Sequence, residues 1–562
     1  MLMKRLRWQI LVVIVTLVLV GILLLSQGPV ITPILPHAAS GGVYTEGLVG
    51  AMGRLNPLLD WNNSPDRDVD RLIYSGVMRF DARGMPEPDL AESWGTTADG
   101  AIYNFSLRPN AAWQDGKPVT SDDVIFTIEL MKSPASFYPQ DVKDLWSKVE
   151  IIRLSDKAMQ FKIPEPYAPF LDYMAFGVLP KHLLEGLPLD QVLNADFNLK
   201  PVGSGPFKFD HLLIDNGVIT GVALVRNEQY HLAKPFIEQV IFKYYPTSAA
   251  ALDAFRAGEV AGISQVTNDI LPQALVEPNL SVYTGRLPQM GFVLFNLNNP
   301  EVAFLQEAKL RRALMLGLNR QRLIDAFLDG QAIPLDGPIL PGSWAHYDGV
   351  ERLPYDADMA IALLKALGYT LPADGGAVRE KDGKPLAFSL VHPDDEVHTQ
   401  MAQSIQVNWA AIGVQVNLTA VSYASLQADY LIPHKYQAAL AELALPRTPD
   451  PDPYPFWHQA EATGGQNYSQ WDNRPASEYL EQARVTTDFG LRARLYRNFQ
   501  VIFARELPAL PLYVPVYSYG VNETMQGVQM PPLFDPSDRF SLISQWYLVT
   551  RRSLEQTATP VP

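Results

Sequence analysis

Apolar side chains along this chain switch repeatedly between a period of two and a period near 3.6, the pattern of short strands interleaved with amphipathic helices. Residues 94–107 read as a hairpin, because Tyr103, Phe105 and Leu107 alternate after the turn Ala98-Asp99-Gly100. Asp115-Gly116-Lys117-Pro118 is another tight turn. Thr120 or Ser121 then caps a helix with Asp122 and Asp123 in its first turn, where the positive end of the helix dipole favours them. Val124, Ile125, Ile128 and Met131 form its apolar stripe. Leu310, Ala313, Leu314, Leu318, Ile324 and Phe327 predict one helix over 309–330, ended by Gly330. Asp356 is expected to cap a helix over 357–367, and residues 398–412 form another that stops at Gly413, before a strand at 414–418. Asp488 caps a last helix carrying Leu495, Phe499 and Ile502, closed before Pro508. Strands interleaved with helices, without a tandem repeat, predict an α/β chain of several lobes.

One apolar run stands apart. Residues 10–25 are broken only by Thr16 and Gly21, and Lys4, Arg5 and Arg7 precede them. Taken over 8–26, the run spans about 28 Å as a helix, enough for a bilayer core. It competes as a cleaved secretory signal or as an uncleaved anchor. The nearest small residues, Ala38-Ala39-Ser40, lie well downstream, so residues 1–26 are expected to be an anchor and 27–41 a Pro-rich spacer. Either way the three basic residues stay on the cytoplasmic side and the body is exported to a periplasmic or extracellular face.

Composition narrows the classes further. With 47% hydrophobic and 19% charged residues among 562, the chain is no disordered polymer. It has no cysteine, which excludes disulfides, thiolate metal sites and thiol catalysis. The net charge of −15 is more negative still once the basic amino terminus is set aside, and it disfavours nucleic acid as a partner.

Signals for chemistry are sparse. Gly116-Lys117 and Gly383-Lys384 are each followed by Pro, so no phosphate-cradling loop is present. Gly203-Ser204-Gly205-Pro206 reads as a turn, since Pro206 blocks the helix that a nucleophilic serine elbow requires. His392, Asp394, Asp395 and His398 form the one cluster rich in metal-ligand side chains, but without the spacing that sets two imidazoles on one helical face. A membrane-anchored surface hydrolase using that cluster is the rival reading from another class. Trp457, Tyr468, Trp471, Tyr513, Tyr517 and Tyr519 crowd the last third of the chain, as cleft-lining rings or as core.

A series of motifs in fixed order carries more. It begins with Leu55-Asn56-Pro57-Leu58, Pro88-Asp89-Leu90-Ala91-Glu92-Ser93-Trp94 and Trp113-Gln114-Asp115-Gly116-Lys117-Pro118-Val119-Thr120. Gly203-Ser204-Gly205-Pro206-Phe207, Arg226-Asn227-Glu228-Gln229-Tyr230, Arg311-Arg312-Ala313-Leu314, Asp450-Pro451-Asp452 and Pro508-Ala509-Leu510-Pro511-Leu512-Tyr513 follow. Over residues 42–546 this order resembles the family 5 extracellular solute-binding proteins, the peptide/nickel-type substrate-binding subunits of ABC importers.

The resemblance implies a periplasmic-binding-protein-like class II (cluster C) α/β fold with two main lobes, an inserted third lobe and, here, an N-terminal membrane helix. Main lobe I would take 42–78, 203–298 and 516–546, the inserted lobe 79–202, the opposing main lobe 299–515, and the tail 547–562. It implies no enzymatic activity and no cofactor. It implies a monomer that captures oligopeptides or another small solute by hinge closure, with separate permease and ATPase subunits as partners; a solute sensor without transport would share the same cleft. Trp113, Asp115 and Gly116 are expected to be structural. The ligand-binding residues expected are Asn296, Glu442, Arg447, Trp457, Tyr468, Tyr513, Tyr517 and Tyr519. Where peptide-binding relatives carry an Asp for the ligand ammonium, this chain has Arg447, and Glu442 is the nearest upstream acid.

Overall fold

A computed structural model of the chain describes residues 40–549 apart from 82 and 135. The expected anchor at 1–26 lies outside the described residues, and among the latter no helix is long and apolar enough to cross a membrane. Strand β1 (Val43–Val49) starts the first half of a large sheet, with Tyr44 and Leu48 fully buried. The chain then leaves for a small antiparallel sheet of β2 (Ala91–Thr96), β3 (Ile102–Leu107), β4 (Glu150–Ser155) and β5 (Ala158–Lys162), in the order β2-β3-β5-β4. The expected 94–107 hairpin is β2–β3, and Phe105, Phe161, Trp146 and Phe170 form its aromatic core.

Helix Ser121–Lys132 packs beside this sheet. Thr120 and Asp123 close its first turn reciprocally, so Asp123 is a capping residue and not half of a catalytic pair. Its buried stripe is Val124, Thr127, Ile128 and Met131; Ile125, expected inside, is half-buried, and the Thr127 hydroxyl instead accepts from the Leu179 amide at 2.9 Å.

The chain returns through Gly203-Ser204-Gly205-Pro206. A Cβ on Gly203 would meet the Ile73 carbonyl oxygen at 1.9 Å, so the turn is a backbone-to-backbone contact open only to glycine. Gln114 locks it: its Nε2 donates to the Phe207 carbonyl at 2.8 Å and its Oε1 accepts from the Gly203 amide at 3.0 Å. Trp113, 1% exposed, and Gly116, at φ +90°, are structural as expected.

The first half-sheet is completed by β6 (Phe207–Asp215), β7 (Val218–Arg226), β8 (Gln239–Tyr245), β9 (Gly262–Ile263) and β10 (Leu280–Arg286). The second contains β11 (Gln289–Phe295), β12 (Ala332–Pro334), β13 (Ala387–Pro393), β14 (Gln415–Val421) and β15 (Ala438–Ala444). The long β16 (Ala509–Asn522) belongs to both. Residues 509–515 of β16 pair with β11 and β12, whereas 516–522 pair with β10, and β9 pairs near the strand's end. The twelve-stranded order is β14-β13-β15-β11-β16-β9-β1-β8-β7-β6, with β10 and β12 attached to β16. Chain therefore passes between the halves at 286–289 and at 515–516, where the Leu287 amide donates to the Pro515 carbonyl at 3.0 Å.

The helix expected over 309–330 is two, Ala308–Leu316 and Arg320–Phe327. Asn319 starts the second by accepting from the Arg322 amide at 3.0 Å, and the absent side chain of Gly317 makes room for Ile412. Asp356 and Asp488 cap Ala357–Ala366 and Phe489–Glu506 as expected. The helix expected from 398 begins at Glu396, because Asp395 caps it, and the following strand is Gln415–Val421.

Candidate functional site

Strand direction puts chemistry at one edge of each half. β13 is parallel to β14 and β15, and β15 is antiparallel to β11, which starts at the crossing. The carboxyl ends of these three strands therefore lie on the crossing side of the second half, the edge where open α/β sheets bind ligands. β1 is likewise parallel to β8 and β9, so the loops after Val49 and Ile263 share an edge of the first half.

On the second half, Glu442 of β15 stands opposite Gly291 of β11. Tyr513 lies across that glycine, where a Cβ would meet its ring at 2.7 Å. Its hydroxyl donates to Glu442 Oε1 at 2.9 Å, and Gln289 Nε2 donates to the other oxygen. Burial and then the Glu442 charge push the Tyr513 phenol well up, so it stays a donor at neutral pH. Beside them, His398 Nδ1 and Asp395 Oδ2 are 2.8 Å apart, and the Tyr423 hydroxyl stands 3.2 Å from the same nitrogen.

On the first half, residues 50–54 form an exposed loop except for half-buried Met52. Asn56 then folds inward: its Nδ2 donates to Asn198 Oδ1 at 2.9 Å and its Oδ1 accepts from the Leu58 amide. Asp60 and Trp61 form a turn before helix Ser64–Ile73. Arg67 of that helix donates to the carbonyls of Asp60 and Trp61 and pairs with Asp535 at 2.8 Å.

Contacts join these parts across the molecule. Arg447 Nη1 donates to the Trp61 carbonyl at 3.0 Å, its guanidinium lies 4.5 Å from the Trp61 ring centre, and its Nε is 3.6 Å from Asp535. Burial and then Arg67 pull its pKa down. The Asp450 amide donates to Asp172 Oδ2 at 2.6 Å, and the Asp450 carboxylate pairs at 2.6 Å with Arg492, both side chains almost fully buried. Asp452 pairs at 2.7 Å with Arg484, which also lies over Tyr454 and Tyr167.

Of the residues expected from sequence, Glu442 and Tyr513 come together, and Arg447 reaches the turn at Trp61 and Asp535. Asn296 and Tyr468 lie elsewhere: Asn296 directly follows the last residue of β11, five residues beyond Gly291, about 17 Å at the rise of an extended strand. Its amide group donates to the His434 carbonyl, and the Tyr468 carbonyl accepts from Tyr436. Trp457 is packed against Phe292 and Phe503 at 1% exposure. The Tyr517 hydroxyl donates to the Ser264 carbonyl, and the fully buried Tyr519 donates to Glu46 at 2.7 Å. All three rings are interior packing: Tyr517 and Tyr519 because β16 is buried on both faces there, and Trp457 because its short helix, Tyr454–Trp457, packs between β11 and helix Phe489–Glu506. The His392 Nδ1 lies 2.7 Å from the Pro393 carbonyl, whereas His398 pairs with Asp395. Among the described residues no group of three or more His, Cys, Asp or Glu could hold a metal ion.

Sequence reasoning passed over Asp60, Trp61, Asp70, Gln289 and Tyr423. One signal was available: Asp66 and Asp70 stand four apart and share a helical face with Val69 and Ile73, and the structure buries all four.

Comparison with known proteins places these features in context. Residues 85–467 match the family described as bacterial extracellular solute-binding proteins, family 5 (middle). The chain is 24% identical over 521 residues to the oligopeptide-binding protein AppA of Bacillus subtilis (strain 168), covering 90% of this chain and 92% of that protein. The solved structure of AppA from Bacillus subtilis with a nonapeptide superposes with a TM-score of 0.63 over 91% of this chain and 100% of that one, at 24% identity. The nickel-binding periplasmic protein of Escherichia coli (strain K12) is 28% identical over 400 residues, 70% of this chain and 74% of its own. HbpA2 from Haemophilus parasuis has the same fold, with a TM-score of 0.79 at 22% identity over 91% of this chain and 100% of that one.

Proposed function

We propose, because this chain belongs to the bacterial extracellular solute-binding proteins of family 5, that it is the extracytoplasmic capture subunit of an ABC importer and that its ligand is an oligopeptide. The first and second half-sheets are the cores of the two main lobes, the small sheet is the inserted lobe, and ligand is held between the facing strand edges. The observation that carries this reading is β16: one strand serves both halves, so the edges bearing Asp60–Trp61 and Glu442–Tyr513 swing about 286–289 and 515–516. The oligopeptide-binding relative supports the ligand class. Glu442 and Tyr513 are the ligand-facing polar groups of the second half, and Arg447 closes onto the first. Permease and ATPase subunits supply the energy, and residues 1–26 hold the chain at the membrane.

Incubating purified full-length protein with peptide pools and identifying retained species by mass spectrometry tests the ligand class. Retention of peptides at one per chain is expected; an empty protein across pools of varied length overturns it. For the anchor, an amino terminus at Met1 or Leu2 in the membrane fraction is expected, and one near Ser40 in a soluble fraction refutes it.

A further inference from the structure

We infer that Asp60 and Asp70 form the subsite for a positively charged end of the ligand, an ammonium group. This rests on the reading of the protein as a peptide receptor and adds the residues that receive the peptide's amino end, on the opposite half from Glu442.

Hydrogen-bond accounting singles this pair out. Asp70 is 3% exposed, and neither of its carboxylate oxygens has a donor. Every nearby acid is satisfied otherwise. Asp68 has Arg539 at 2.6 Å, Asp535 has Arg67 at 2.8 Å and Asp538 has Arg71 at 3.0 Å. Asp66 accepts from the amides of Gly53 and Arg54. Glu442, the other acid available for an amine, already uses both oxygens on Tyr513 and Gln289. Asp70 instead lies against the Asp60 carboxyl, and the one backbone donor beside it, the Asn56 amide, is already given to the Arg54 carbonyl at 2.9 Å, so a proton held between the two carboxyls supplies the missing donor. Asp60 is half-buried in the turn facing Arg447, so it can touch ligand while Asp70 stands behind it.

The surroundings set the charge. Asp60 feels Arg67, Asp535 and Asp66 from its own half and Arg447 from the other. Asp70 feels Asp60 and Asp66, and the phenols of Tyr74, Tyr138 and Tyr244 stand around the pair. Burial pushes both carboxyls up, at Asp60 against the opposing pull of Arg67 and Arg447 and at Asp70 with the Asp60 and Asp66 charges adding to it, so the empty site keeps a proton where an exposed pair would lose it. An arriving R–NH3+ pairs directly with the Asp60 carboxylate, the Asp70 carboxylate behind it adds its charge, and the shared proton leaves to buffer. A neutral or N-acylated end cannot supply that charge, and leaving a carboxylate buried without a partner is costly.

The test offers the full-length protein one tri- to pentapeptide pool with free amino ends and the same pool N-acetylated. Wild-type protein should retain the free pool and discriminate against the acetylated one roughly thirtyfold or more. Calorimetry near pH 6 with a retained peptide, in two buffers of different ionisation enthalpy, should show net proton release. Asp60→Asn and Asp70→Asn, checked for wild-type circular dichroism, should lose the discrimination and the proton release. Equal retention of both pools by wild-type protein overturns the subsite and leaves the peptide reading standing. Loss of discrimination in Glu442→Gln, with Asp60→Asn and Asp70→Asn unaffected, also overturns it. Retention of neither pool overturns the peptide reading and this inference together.

Discussion

Replacing Arg447 by alanine should shift the balance between joined and separated halves. Three contacts are lost: the hydrogen bond to the Trp61 carbonyl, the stacking on the Trp61 ring and the 3.6 Å approach to Asp535. The carbonyl is not left bare, because Arg67 also donates to it at 2.8 Å, so the hydrogen-bond loss falls at the low end, about 1 kcal/mol. Stacking at a partly exposed site adds about 0.5–1 kcal/mol. The ion pair is long and its arginine side chain is 34% exposed, so screening leaves it little. Relief of the repulsion from Arg67 acts in the opposite direction. The net is about 1 kcal/mol in favour of separation, roughly a fivefold change in the equilibrium. Small-angle scattering should give a larger radius of gyration for the ligand-free variant, with a changed Trp61 contribution to fluorescence. Peptide affinity should weaken by about the same factor if the joined state is the one that holds ligand. Arg447→Lys should fall between, since an ammonium keeps the charge and loses the planar face. Unchanged scattering together with unchanged affinity would refute the latch.

Three further outcomes follow from the packing. Gly291→Ala places a Cβ 2.7 Å from the Tyr513 ring, so the ring must leave Glu442; thermal unfolding should show a loss of about 1–3 kcal/mol, and a wild-type melting temperature contradicts it. Arg539→Met strands the buried carboxylates of Glu46 and Asp68 and should cost about 3–5 kcal/mol in urea unfolding, partly recovered by adding Glu46→Gln and Asp68→Asn; no recovery in the triple variant rejects the charge explanation. Burial pushes the Asp66 carboxyl up from 3.8 to about 6, so its contribution to stability is complete below the unfolded value and is lost as pH rises through about 6. The melting temperature should therefore rise from pH 7 to pH 5, less steeply in Asp66→Asn; equal slopes in the two proteins count against it.

Local grammar was legible in the sequence wherever a single side chain decides an element. Asp356, Asp488 and Thr120 start their helices as read, because an N-cap needs only its own next turn. The same rule applied to Asn319 would have broken the 309–330 helix; the apolar spacing on both sides hid it. The aromatic residues were another matter. Trp457, Tyr517 and Tyr519 look alike in sequence to rings that line a cleft, and only tertiary packing buries them, the sheet order for the two tyrosines and a helix laid on β11 for Trp457. Arg447 meets Trp61 across 386 positions and Asp70 meets Asp60 behind a turn, so neither contact follows from periodicity. The ordered motifs did carry the family, since Gln114 and Gly203 are joined by backbone geometry that permits few residues.

The place of β16 in the sheet bears on how the protein is made. It lies between β11 and β9, near the middle of the order, yet its residues are 509–522 of 562. A chain emerging amino terminus first thus holds two unfinished half-sheets, each with an unpaired edge, until residues 509–522 have been delivered. Exposed strand edges pair readily with other chains. Export of an unfolded chain fits this order, because neither half can close before its carboxyl-terminal strand arrives. Truncation before Ala509 should therefore remove a strand from both halves at once, and the shortened protein should fail to accumulate.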